Sequence, residues 1–245
     1  MNFLTETVIG ILLPFVGTTV GAATVFFMKK QSNPRFHRAM LGFAAGVMTA
    51  ASVWSLLIPS IESAGSWIPA VTGFLIGTAA MTALAAVVPT PEPKKEPKLG
   101  ENLLLFIAVT LHNIPEGMAV GVAFAGAISG VLPISEALTL SIGISVQNFP
   151  EGTIISAPLV TDGMNKRKAF AYGVLSGAVE PVASIITVLL TWLVAPILPF
   201  VLSFAAGAMI YVVSQELIPE AKSRIGTAGT AVGFALMMLL DVAMG

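Results

Sequence analysis

The chain has 245 residues, a formal net charge of −1, and only 10% charged residues against 56% hydrophobic ones. A soluble domain carries about 25% charged residues, so a water-facing surface of this size is excluded and lipid is the solvent for most of the protein. The near-neutral balance excludes nucleic acid as an electrostatic partner, and the absence of cysteine excludes disulfides, zinc knuckles and thiolate chemistry.

Eight apolar segments follow along the chain, at roughly 7–28, 39–59, 67–88, 102–126, 134–160, 169–194, 199–218 and 226–244, each near or above the ~20 residues a helix needs to cross hydrocarbon. The sequence therefore predicts an all-α integral membrane protein of eight transmembrane helices forming a single transmembrane domain over residues 1–245. The first run has no Lys or Arg before it and exceeds the core of a signal peptide, so it reads as a retained span. The second contains Phe43-Ala-Ala-Gly-Val-Met48 and then Leu57-Ile-Pro59. After the third comes the Pro-rich, charged stretch Pro89 to Gly100, which reads as an extended cytoplasmic linker. The seventh segment repeats the second, with Phe204-Ala-Ala-Gly-Ala-Met209 and then Leu217-Ile-Pro219. Their opposite directions suggest an inverted repeat of helices 1–3 and 6–8 around helices 4 and 5, an arrangement common in transporters.

The basic residues test this organisation. Lys29, Lys30, Arg35, Arg38, Lys94, Lys95, Lys98, Lys166, Arg167, Lys168, Lys222 and Arg224 are all the Lys and Arg in the chain. They fall only in connections 1–2, 3–4, 5–6 and 7–8. The positive-inside rule places those loops in the cytoplasm and both termini outside.

The fourth and fifth segments carry the chemistry. One reads Leu111-His112-Asn113-Ile114-Pro115-Glu116-Gly117, the other Val146-Gln147-Asn148-Phe149-Pro150-Glu151-Gly152. Ionisable groups at that depth cost about 2.5–3.5 kcal/mol each on insertion scales, and they mark function. His112 and Glu116 are one helical turn apart and share a face with Asn113; Gln147, Asn148 and Glu151 repeat the geometry. Each proline removes a backbone hydrogen bond and strains the carbonyl four residues earlier, at Leu111 and Val146. The sixth segment adds Glu180-Pro181. Three carboxylates, one imidazole and three amides then share one depth; the three carboxylates packed together would repel or take up protons, and a divalent cation neutralises them. One imidazole among oxygen ligands suits Zn²⁺, Fe²⁺, Mn²⁺, Co²⁺ or Cd²⁺, and three glutamates suffice for two adjacent ions bridged by a carboxylate. Met48 taken alone reads as packing more readily than as a ligand. An intramembrane metalloenzyme is a weaker reading, because His-Glu-x-x-His is absent, and so is the Glu-x-x-His pair of di-metal bundles.

The paired motifs His112 to Gly117 and Gln147 to Gly152 resemble the signature of the ZIP (Zrt/Irt-like) metal transporters, and the glutamine-led second motif is similar to the bacterial GufA-like branch. The resemblance covers essentially the whole chain. It implies one metal position made by Met48, His112, Glu116, Gln147 and Glu151. A second is made by Asn113, Glu116, Asn148, Glu151 and Glu180, with Glu116 and Glu151 shared. It further implies uptake of Zn²⁺ and related ions into the cytoplasm by an elevator-like motion of the motif helices. Two departures stand out: the 3–4 linker has no histidine, and Asn148 stands where some relatives have aspartate. The expected partners are divalent metal ions and the bilayer, with a homodimer as the expected assembly. No prosthetic group is expected. The expected location is a bacterial inner membrane.

Overall fold

The computed structural model describes residues 2–27, 34–87, 99–161 and 163–244. The side chains of residues 87, 99–109, 111, 112 and 244 lie outside the description. Among the described residues the chain is helical throughout and has no strand. Eight long rods run in order: α1 Phe3–Ala23, α2 Pro34–Ala64, α3 Trp67–Val87, α4 Leu99–Ile128, α5 Ile134–Thr161, α6 Lys166–Leu189, α7 Thr191–Ala221 and α8 Arg224–Met244. Six of them, α1, α2, α3, α6, α7 and α8, are long and apolar enough to cross a membrane. The described side chains of α4 give a shorter apolar stretch, Asn113–Ile128. α5 has ample length, and its Glu136, Gln147, Asn148 and Glu151 lower its apolarity. The linker read at 89–100 lies largely outside the described residues.

Polarity is inverted relative to a water-soluble fold. On α1 the exposed stripe is Leu4, Val8, Leu12 and Val16, four residues apart on one face. The buried face of the same helix carries Thr7, Gly10, Pro14, Gly17 and Thr18. Apolar side chains outside and small or polar ones inside are what a lipid solvent selects.

Prolines set the local irregularities. Pro59 cannot donate to the carbonyl four residues back, and α2 opens there into a π turn over Ser52–Leu57, with the Ile58 N–H reaching Val53 O. Pro219 does the same in α7, where the π turn is Val213–Leu217 and Ile218 N–H reaches Val213 O. In α6, Pro181 cannot donate to Gly177, and the rod steps at Ala178 between Lys166–Gly177 and Val179–Leu189. The sixth predicted segment overran this rod: Thr191–Val194 is already the first turn of α7.

The most extensive packing pairs are α2 with α8, α3 with α7, α1 with α5, and α4 with α6. Small residues bring these backbones together, as expected where lipid offers no hydrophobic drive between helices. A Cβ at Gly46 would stand 2.1 Å from Thr230 O, and one at Gly207 would stand 2.1 Å from Phe74 O. Contacts advance together along both chains, Gly17 on Ser145 then Gly21 on Phe149, Gly73 on Phe200 then Gly77 on Phe204, so partners within a pair run parallel. The helices group as α2, α3, α7, α8 and α1, α4, α5, α6. The groups meet chiefly where α2 packs on α5 and α7 on α4.

Candidate metal centre

The two motif helices and α6 meet in the second group. Asn113, Glu116, Gln147, Asn148 and Glu180 are fully buried, and Glu151 is 4% exposed. Charged groups at such depth need partners, and the pattern of partners defines the centre. Gln147 Nε2 donates to Glu116 Oε1 at 2.6 Å, joining α5 to α4. Asn148 Nδ2 donates to Glu180 Oε2 at 2.8 Å, joining α5 to α6. Thr18 Oγ1 on α1 donates to Glu180 Oε1 at 3.0 Å. Glu151 lies within electrostatic range of both Glu116 and Glu180.

The remaining amide bonds tie the centre to the helix backbones around it. Asn113 Nδ2 donates to Ser176 O at 3.0 Å, and Asn148 Nδ2 also faces Pro14 O at 3.3 Å. Each motif asparagine therefore reaches a carbonyl of a neighbour within the same group, α6 for one and α1 for the other. Pro14 leaves the Gly10 carbonyl without its helical donor, and the Ser141 hydroxyl takes it.

At this centre the buried oxygens Asn113 Oδ1, Glu116 Oε2, Gln147 Oε1 and Asn148 Oδ1 have no hydrogen-bond partner among the described residues. Buried acceptors of this kind are costly and rare in native proteins. Their chemistry, amide and carboxylate oxygens in one pocket of negative charge, fits a divalent cation. Among the described residues no group of three or more His, Asp or Glu closes around one point; the carboxylates are spread between amides that hold them in pairs.

Of the residues singled out from sequence, Asn113, Glu116, Gln147, Asn148, Glu151 and Glu180 come together. His112 lies on α4, and its side chain is outside the described residues. Met48 is fully buried within the apolar core with Phe124, Leu140 and Ile144. Sequence reasoning missed Thr18 and the carbonyls of Pro14 and Ser176. A threonine in an apolar helix ordinarily bonds back to its own turn, so Thr18 carried no local signal.

A second polar cluster lies apart from this centre, where Ser55 Oγ in the α2 π turn donates to Asp241 Oδ1 at 2.6 Å.

Comparison with known proteins agrees with the motif. The family model described as "ZIP Zinc transporter" matches residues 92–241. "Zinc transporter ZIP11" of Xenopus tropicalis is 34% identical, with 98% of this chain and 97% of that protein aligned. "Zinc transporter ZIPB" of Bordetella bronchiseptica is 35% identical over 97% of this chain and 81% of its own length. "Zinc transporter GufA" of Myxococcus xanthus is 43% identical over 60% of this chain and 58% of its own.

Proposed function

The chain belongs to the ZIP zinc transporter family, and from that premise we propose that it carries Zn²⁺, and with it Fe²⁺, Mn²⁺, Co²⁺ or Cd²⁺, into the cytoplasm through the centre between α4, α5 and α6. Members of the family are transporters, not enzymes, and zinc transport is what the relatives' names describe. The observation that carries the site assignment is the set of four unpartnered buried oxygens among the carboxylates of Glu116, Glu151 and Glu180. A divalent cation satisfies those lone pairs and offsets the carboxylate charge together.

The finer proposal has two adjacent positions. His112, Glu116, Gln147 and Glu151 make the first, with Met48 included on the resemblance alone. Asn113, Glu116, Asn148, Glu151 and Glu180 make the second. An ion entering the second position exchanges the Asn148–Glu180 hydrogen bond for coordination, with Asn148 turning its Oδ1 inward. Release to the cytosol is helped by protons, which compete with metal for the same ligands.

Eight spans, an inverted repeat and external termini complete the reading. Several correspondences support the repeat. The π turns of α2 and α7 stand at matching places before Ile-Pro. Gly152 packs on the Thr18 carbonyl as Gly117 packs on that of Glu180, and Gly233 packs on Phe43 as Gly77 packs on Phe204. Asn148 reaches Pro14 as Asn113 reaches Ser176. Exchanging α1 with α6, α2 with α7, α3 with α8 and α4 with α5 maps every one of these contacts onto its counterpart. The two helix groups then supply the parts for alternating access: α1, α4, α5 and α6 carry the ion and slide against α2, α3, α7 and α8. The proposed location is a bacterial inner membrane.

The test is metal flux into proteoliposomes containing only this protein. Glu116→Gln and Glu151→Gln keep the volume and each remove one charge from a desolvated cluster, a change worth several kcal/mol, on the order of 3–5, when a buried ionic partner is lost. Both should abolish Zn²⁺ flux while the protein stays folded and inserted. Parent-like flux in both variants refutes the site.

A further inference from the structure

We infer that Thr18 is a positioning residue for the ion site, fixing Glu180 so that one of its oxygens stays aimed at the motif helices. The inference rests on the reading of Glu180 as part of the metal centre.

The torsion that turns a glutamate carboxylate is soft, with broad rather than discrete wells. Glu180, fully buried, is nevertheless held at both oxygens, by Thr18 Oγ1 from α1 at 3.0 Å and by Asn148 Nδ2 from α5 at 2.8 Å. The two donors are not equivalent. Asn148 divides its amide hydrogens between Glu180 and Pro14 O, and its Oδ1 is unpartnered. It can therefore turn toward a cation and release Glu180 Oε2 to the same cation.

Thr18 has less freedom: its hydroxyl lies nearer to Glu180 Oε1, at 3.0 Å, than to the Pro14 carbonyl of its own turn, at 3.3 Å, and it offers no free acceptor aimed at a cation. It is fully buried, and its β-branched side chain has a restricted χ1. Its Cβ and Cγ2 pack against Gly177 of α6 so closely that a Cβ there would stand 2.8 Å from both. Its own carbonyl is pressed by Gly152 of α5, where a Cβ would stand 2.1 Å from it. Packing on two sides aims the hydroxyl, and the hydroxyl aims the carboxylate. When the ion arrives, Oε1 stays on Thr18 and Oε2 changes from amide to metal.

The repeat gives this pairing a further sense. The exchange that carries Gly152 onto Gly117 carries Thr18 onto Glu180. The two residues occupy equivalent places on α1 and α6 and touch each other, one half of the molecule supplying a carboxylate and the other the donor that orients it.

The experiment compares the full chain with Thr18→Val, Thr18→Ser, Glu180→Ala and the Thr18→Val/Glu180→Ala double variant. Zn²⁺ affinity is read by equilibrium binding in detergent, and KM and maximal rate by flux in proteoliposomes. Thr18→Val keeps the shape and removes the hydroxyl. It should weaken Zn²⁺ binding and raise KM about tenfold, the loss expected for one hydrogen bond to a charged group, with maximal rate changed less than about twofold. Thr18→Ser, which keeps the hydroxyl and loses the methyl that packs on Gly177, should restore most of the affinity lost in Thr18→Val. In the Glu180→Ala background, Thr18→Val should add nothing, because its effect passes through that carboxylate. Parent-like binding by Thr18→Val, failure of Thr18→Ser to restore it, or an undiminished Thr18→Val effect without Glu180 overturns the inference. Parent-like Zn²⁺ binding by Glu180→Ala overturns the inference together with the assignment of Glu180 to the metal centre. Weakened binding by Glu180→Ala beside parent-like binding by Thr18→Val overturns the inference alone.

Discussion

Asn148 stands where a carboxylate would add charge, and its surroundings say what the amide does instead. Its Nδ2 lies 2.8 Å from Glu180 Oε2 and 3.3 Å from Pro14 O, two acceptors that a carboxylate in the same place would repel. Asn148→Asp removes the donor and sets a second negative charge against Glu180 in a site where little water screens it. The variant should melt several degrees below the parent in chelator. It should then gain more than the parent on adding Zn²⁺, because a ligand that binds only the folded state stabilises it in proportion to its affinity. Thermal melts in detergent with chelator and with Zn²⁺ measure both halves, and equal melting of parent and variant in chelator would show that the amide is not holding Glu180. At this scale the motif residues were legible because Glu, Asn and Gln in apolar segments are conspicuous. Thr18 was not, since nothing in one helix tells a hydroxyl bonded to its own turn from one that reaches across to α6.

Between elements, the close approaches decide which helices pair. Gly46 on α2 and Gly207 on α7 occupy corresponding places, and a Cβ at either would stand 2.1 Å from a backbone oxygen of the partner helix. Backbone cannot yield as a flexible side chain can, so Gly46→Ala and Gly207→Ala should each force two helices apart and lower the melting temperature to a similar degree. Gly65 is the contrast. It takes φ +61° at the end of α2 with nothing within 4 Å of an added Cβ, so Gly65→Ala incurs only the left-handed backbone penalty, about 1–2 kcal/mol. If the two helix variants melt like the parent, close packing at these glycines is not what holds α2 to α8 and α3 to α7. The rods themselves were readable from apolar runs, most closely for α5, expected at 134–160 and found at Ile134–Thr161. Pair identities were not readable, because several glycines recur at helical spacing and no single segment shows which face its partner takes. The step at Ala178 was missed for a related reason: Pro181 was seen as a companion of Glu180, whereas its missing N–H acts one turn earlier, at Gly177.

For the whole molecule, the basic residues argue orientation more strongly once their helices are known. Arg35 and Arg38 fall in the first turns of α2, Lys166, Arg167 and Lys168 in the first turn of α6, and Arg224 at the start of α8. Positive charge at a helix N-terminus opposes the macrodipole by about 0.3–1 kcal/mol, so helix electrostatics does not explain this placement. One local contact offsets it, where Lys166 Nζ donates to Phe26 O at 3.3 Å. The remaining force that sorts Lys and Arg to one side is insertion, and the positive-inside rule predicts that side to be the cytoplasm. Parallel packing within α2–α8 and α4–α6 brings the starts of the even-numbered helices to that same side. The chain has no cysteine, so single reporters can read the sidedness directly. Asn2→Cys and Ser129→Cys should react with an impermeant thiol reagent added outside intact cells. Lys95→Cys and Lys168→Cys should react only after the membrane is opened. Labelling of Lys168→Cys from outside would invert the molecule and reverse the direction of transport proposed for it. Labelling of Lys95→Cys and Lys168→Cys from opposite sides would instead break the alternation and overturn the proposal of eight spans.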